Sequence, residues 1–199
     1  YIDEWGADAF RTYLMFLGPY QEGGDFRDQG IIGVKRFLDR LWSAAHATAT
    51  EGAPDADVLR ELHQTIRKVG DDVPRLSYNT AIAAMMEYMN TVRKGDRDLH
   101  RAEIEPLVQM VAPFAPHIAE ELWSRLGHPD SLATESFPEA DPEWLVDETV
   151  EVPVQINGKV RGRIDVAADA SPDVIEATAL ADDKIAAMIA GATPKKVIV

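Results

Sequence analysis

The chain has 199 residues, 20 Lys and Arg against 34 Asp and Glu, a formal charge of −14, and no cysteine. That length allows one ordinary domain plus a smaller one, the acidity argues against indiscriminate adhesion to nucleic acid, and the lack of thiols excludes disulfides, thiolate metal sites and a cysteine nucleophile. No apolar run approaches the ~18 residues of a membrane span, and Tyr1–Gly6 has neither the basic start nor the apolar stretch of a signal peptide, so a cytoplasmic chain is expected. The chain opens without methionine and closes inside the strand-like run Lys195–Val199, so a piece of a larger protein is expected.

The first two thirds read as helices. Asp8 is placed to cap a helix with Phe10, Tyr13, Leu14, Phe16 and Leu17 on its apolar side, stopped by Gly18-Pro19. Residues 1–25 lead into a bundle expected over 26–129. Asp28 is placed to open its first helix, where Ile31, Val34, Phe37, Leu38, Leu41, Trp42 and Ala45 repeat at three and four. A further helix follows Pro54-Asp55, another follows Pro74, a fifth spans Leu99 to Val111, and a sixth covers His117–Leu126. Long amphipathic helices with short breaks predict an antiparallel bundle. Residues 130–148 then carry seven acids, no Lys or Arg, and two prolines. They read as an acidic connector, with Phe137 and Trp144-Leu145 as its anchors.

Residues 149–199 are different. They hold 6 Lys and Arg against 7 Asp and Glu, whereas residues 1–148 hold 14 against 27. Apolar and polar residues alternate on both sides of Asn157-Gly158, a pair that tolerates positive φ, which predicts a tight β-hairpin. Lys159, Arg161 and Arg163 recur at a spacing of two, which predicts three cations on one strand face and suggests a polyanionic partner. Ser171-Pro172 starts a helix expected to break near Asp182-Asp183 and end by Gly191, and Lys195–Val199 reads as a third strand. The expected fold class is mostly α: an antiparallel helix bundle followed by a small α+β (ββαβ) domain.

Each functional reading has a plainer rival. The hairpin cations also suit a solvated edge, where charge discourages sheet-to-sheet pairing. Arg67-Lys68 and Arg93-Lys94 sit near helix ends, where cations favour the terminal carbonyls. Lys35, Arg36 and Arg40 surround one helix, and the set could track a phosphate backbone. The histidines at 46, 63, 100, 117 and 128 share no metal-ligand spacing, and His117 suits packing or capping. Adjacent acids such as Glu120-Glu121 point in different directions on a helix and make no acid/base pair. Trp42, Trp123, Met85, Met86 and Met89 read as core. No catalytic or metal constellation emerges.

Phe114-Ala115-Pro116-His117-Ile118-Ala119-Glu120-Glu121-Leu122-Trp123 resembles a helix signature of the anticodon-binding bundle of class I aminoacyl-tRNA synthetases for leucine, isoleucine and valine. Arg36–Trp42 and Asn79–Ala83 resemble two further helices of that bundle, and Trp5–Arg11 resembles the segment after the family's KMSKS loop. Val152–Gly162, VPVQINGKVRG, resembles the small C-terminal domain of the bacterial leucyl-tRNA synthetases and narrows the choice to them. The resemblance implies a tRNA-binding, tRNA-positioning role, with Asn157, Lys159, Arg161, Arg163, Lys195, Lys196, Lys35, Arg36 and Arg40 as candidate contacts.

It also implies tRNA(Leu) and the catalytic and editing domains of the same polypeptide as partners, a monomer, and neither DNA nor membrane. Nothing here resembles the HIGH or KMSKS motifs or the editing domain. The expected portion therefore has no cofactor of its own and no ligase activity alone, while the complete enzyme would use ATP and Mg2+. An acidic helical protein–protein interaction module is the alternative from another class, and the matching region of an isoleucyl or valyl enzyme is the other.

Overall fold

A computed structural model describes residues 1–49, 52–94, 97–145, 149–168, 170–189 and 197. The chain forms two compact units, Tyr1–Leu145 and Val146–Val199. The first holds α1 (Ile2–Trp5), α2 (Ala7–Phe16), α3 (Ile31–His46), α4 (Ala56–Asp72), α5 (Tyr78–Val92), α6 (Arg101–Val111) and α7 (Pro116–Arg125). Two short strands, β1 (Thr48–Ala49) and β2 (Leu99–His100), form a parallel bridge between loops. The second unit holds an antiparallel hairpin, β3 (Thr149–Ile156) and β4 (Lys159–Ala167), then α8 (Pro172–Ala181) and α9 (Asp183–Ile189). The fold is mostly α with a small α+β part, as the sequence predicts. The expected third strand, Lys195–Val199, lies outside the described residues apart from Val197.

Cross-helix bonds give the bundle its directions. Thr80, at the start of α5, donates to Asp72 at the end of α4 (2.6 Å), while Thr91 near the end of α5 donates to Glu61 near the start of α4 (2.9 Å). These helices are antiparallel. Arg101, at the start of α6, meets His128 just past the end of α7 (2.9 Å), so this pair is antiparallel too. Periodic apolar residues fill the interior: Ile31, Leu41, Leu62, Ile82, Met85 and Leu107 are fully buried, each contributing roughly 1.5–3 kcal/mol of burial. Trp123 and Met89 are core as expected, whereas Trp42 and Met86 are only half-buried against it.

The helix starts divide into expected and unexpected. Asp55 caps α4, accepting from Asp57 N (2.9 Å) and Val58 N (3.1 Å). Asp28 does not cap α3, whose first turn follows Gly30; Asp28 instead accepts from the Tyr1 hydroxyl. A Cβ on Gly30 would collide with the Tyr13 ring at 2.4–2.7 Å, so the ring occupies the space a capping side chain would need. Asp8 lies inside α2, and its carboxylate caps α7 across 109 residues of chain. It accepts from Ile118 N (2.7 Å) and His117 N (3.4 Å) and lies 2.7 Å from His117 Nδ1.

The acidic stretch beyond α7 clings to the bundle up to Leu145. Glu120 caps its first turn, accepting from Ser131 Oγ (2.7 Å), Leu132 N (3.1 Å) and Ala133 N (3.1 Å). Leu132 is buried in the core, an anchor the sequence does not announce. Phe137 lies over Gly70, and Trp144 stacks on His63 with ring centroids 6.0 Å apart and planes 6° apart.

Candidate nucleic-acid interface

The hairpin turn is type I′: Asn157 has φ 52° and Gly158 φ 75°, the left-handed values that these two residue types accept most easily. Farther from the turn, the pairing is regular: Val150 opposes Val166, Val152 opposes Ile164, and Pro153 opposes Arg163. Gly162 faces α9. A Cβ there would come within 2.9 Å of Ile185 Cδ1, so the missing side chain is what seats the helix on the strand.

Between Val154 and Gln155 the register shifts. Val154 opposes Gly162, but Gln155 opposes Val160, which leaves Arg161 without a partner on β3. This is a β-bulge, and it corrects the expected single row of cations. Opposed residues of an antiparallel pair share a face. Lys159 opposes Ile156 and thus shares the face of Val152 and Ile164; Arg163, opposite Pro153, lies on the other. The alternation expected for β4 fails in the same place. Val160 is 55% exposed, whereas Ile164 and Val166, two and three steps along the apolar row, are 6% and 4% exposed. The physical reason is the extra residue, which reverses facing on the tip side of the bulge.

The candidate cations differ in freedom. Arg163 is held by Glu151 (2.6 Å). Lys159 and Arg161 are exposed, and among the described residues no carboxylate pairs with either. Asn157 is exposed at the tip. In the bundle, Lys35 pairs with Asp39 on its own helix, Arg40 donates to Asn90 of α5 (3.1 Å), and Arg36 is exposed. Lys195 and Lys196 lie outside the described residues. The structure thus gathers Asn157, Lys159, Arg161 and Arg163 on one hairpin and Lys35, Arg36 and Arg40 on α3.

Sequence reasoning misses several polar clusters, because their members are far apart in the chain. Glu103 has no solvent exposure. It accepts from Arg97 Nη1 (2.9 and 3.1 Å), Asp55 N (2.8 Å) and His100 N (3.2 Å), and its backbone oxygen accepts from Tyr88 (2.6 Å). Burial pushes the Tyr88 phenol well above its usual value. Arg125 lies over Trp42, 5.0 Å from the ring centroid, and meets His46 at 3.3 Å. The Ser131 hydrogen bond holds the Glu120 carboxyl below its usual range, and burial lowers His63. A cleft of about 340 Å³ is lined by Trp5, Asp8, Lys35, Leu38, Asp39 and His117, whose acids and bases already pair with one another. Among the described residues no cluster of three His, Asp or Glu is placed to hold a metal ion, and no helix is long and apolar enough to cross a membrane.

The profile of the anticodon-binding domain of tRNA ligases matches residues 55–176. Leucine–tRNA ligases of Mycobacterium marinum and Nocardia farcinica are 50% and 51% identical to the chain over 99% of its length. Those stretches are 21% and 22% of the relatives, so the chain spans about a fifth of their length. A crystal structure of the ternary complex of Agrobacterium radiobacter K84 agnB2 LeuRS with tRNA and LeuAMS is similar in fold, with a TM-score of 0.80 and 30% identity, over 98% of this chain and 28% of that one.

Proposed function

The chain belongs to the anticodon-binding domain family of tRNA ligases, and from that premise we propose that it is the tRNA-binding, tRNA-positioning portion of a leucine–tRNA ligase. Such a ligase joins leucine to ATP as an adenylate, with loss of pyrophosphate, and then esterifies the 3′-terminal adenosine of tRNA(Leu). The catalytic and editing domains, with ATP and Mg2+, belong to the rest of the polypeptide, acting in the cytoplasm as a monomer. This portion holds the body of the tRNA so that its distant end stays at the reacting centre, which is catalysis by positioning. Shape and backbone contacts suit that task better than base readout.

The observation that carries the proposal is the hairpin: a type I′ turn followed on β4 by two exposed cations with no described acidic partner, in a chain of charge −14. Net acidity elsewhere confines RNA to such local sites. The test uses the chain itself and a transcript of a leucine-accepting tRNA, with affinity measured from 50 to 200 mM salt. Binding through several phosphates weakens steeply over that range. Absence of binding at 50 mM salt, or affinity indifferent to salt, would overturn the proposal. Salt-indifferent capture of a protein would favour the interaction-module alternative.

A further inference from the structure

The bulge changes how the hairpin can meet RNA. Lys159 projects on the inner face, that of Ile156 and Val152. Arg161 lies one residue before Gly162, on the outer face with Arg163 and Gln155, because alternation resumes there. The inner face is covered by α9 at Gly162, where Ile185 sits. Nearer the turn, Asn157, Gly158, Lys159, Val160 and Arg161 are all exposed. The tip is therefore a ribbon with a cation on each side.

We infer that this tip grips RNA on both faces, Lys159 neutralising a phosphate of one backbone segment and Arg161 a phosphate of another. The inference rests on the tRNA-binding proposal and adds a mode of contact to it. Side chains leave the two faces of a ribbon in opposite directions, so two phosphates taken this way flank a slab roughly 10 Å thick. One continuous backbone lying flat against the hairpin cannot supply both. A cleft between two non-adjacent backbone segments of a folded RNA can, and it is shape rather than sequence that such a contact recognises. Exposed Val160 and the small Asn157-Gly158 turn leave the leading edge narrow enough to enter it.

Two altered chains separate this mode from contact through a single face. Inserting one threonine between Val154 and Gln155 fills the gap opposite Arg161, removes the bulge and turns Lys159 to the face of Arg161. Deleting Val160 also removes the bulge but leaves Lys159 opposite Ile156, still on the inner face. Both keep every cation. With a leucine-accepting tRNA transcript as probe, the deletion should bind like the native chain. The insertion should bind about tenfold more weakly at 0.05 M salt, the loss expected for one phosphate contact. Lys159→Ala should cost the native chain the same factor and the insertion chain nothing further. Native-like affinity of the insertion, or equal weakening by both altered chains, would overturn the inference.

Phosphate-ethylation interference needs no altered backbone. Lys159→Ala and Arg161→Ala should each erase interference at phosphates on different RNA segments. Erasure at neighbouring phosphates of one segment would overturn two-sided gripping while leaving tRNA binding intact. A native chain that fails to bind the transcript would remove the tRNA reading and this inference with it.

Discussion

Replacing Glu103 with alanine should destabilise the bundle more than any surface change. The carboxylate is fully buried and takes four hydrogen bonds, two from Arg97 and one each from the backbone of Asp55 and His100. Removing it strands a mostly buried guanidinium and two backbone N–H groups at the starts of α4 and α6. Breaking a buried ion pair from one side costs about 3–5 kcal/mol, a large part of the 5–15 kcal/mol that holds a typical domain. At about 2–4 °C per kcal/mol for a domain of this size, Tm should fall by roughly 10 °C. Urea unfolding followed by far-UV circular dichroism gives the free energy directly. Replacing both partners, as Glu103→Leu with Arg97→Met, should be less damaging than Glu103→Ala alone, since no buried charge is then left unpaired. A loss below about 1 kcal/mol for Glu103→Ala would mean that the buried pair adds little to the stability of the bundle.

Asp8→Ala removes a cap from a helix 109 residues away and should cost about 1–2 kcal/mol in thermal unfolding, although α2 keeps all its own backbone bonds. Glu120 has its folded-state pKa lowered, first by Ser131, so its contribution is present above the usual carboxylate value of 4.5 and lost as pH falls through the folded one. The stability gap between native chain and Glu120→Gln should therefore be largest at neutral pH and shrink steadily as pH falls below 4.5, as urea titrations at each pH would record. Gly162→Val should push Ile185 off β4, and chemical shifts of the second unit should report the disruption while those of the bundle stay unchanged.

What was legible in the sequence was whatever depends on local period. The three-and-four spacing in α3, the helix start after Pro54-Asp55 and the Asn157-Gly158 turn all rest on residues a few positions apart. Asp182 behaves likewise: it breaks the last helix and caps the next piece, accepting from Lys184 N and Ile185 N at 3.0 Å. The bulge was not legible, because alternation along β4 says nothing of how many residues β3 contributes opposite it. Asp8 reads as a local cap by position, yet its carboxylate finds the free N–H groups of another helix. Glu103 looks like an ordinary first-turn acid. Only packing reveals that Arg97 and Asp55 converge on it. Composition contrast and motif single out Lys159 and Arg161, whereas the faces they occupy depend on the strand register.

The proposed role, positioning tRNA without taking part in chemistry, can be measured in the complete ligase carrying this chain. Lys159→Ala with Arg161→Ala should leave leucine-dependent ATP–pyrophosphate exchange at the native rate, because adenylate formation needs no tRNA. Aminoacylation should fall through a raised KM for tRNA, and the slope of log affinity against log salt should shrink by roughly one per residue. Normal aminoacylation with an unchanged salt slope would rule out a positioning role for these cations, as would loss of the exchange reaction itself.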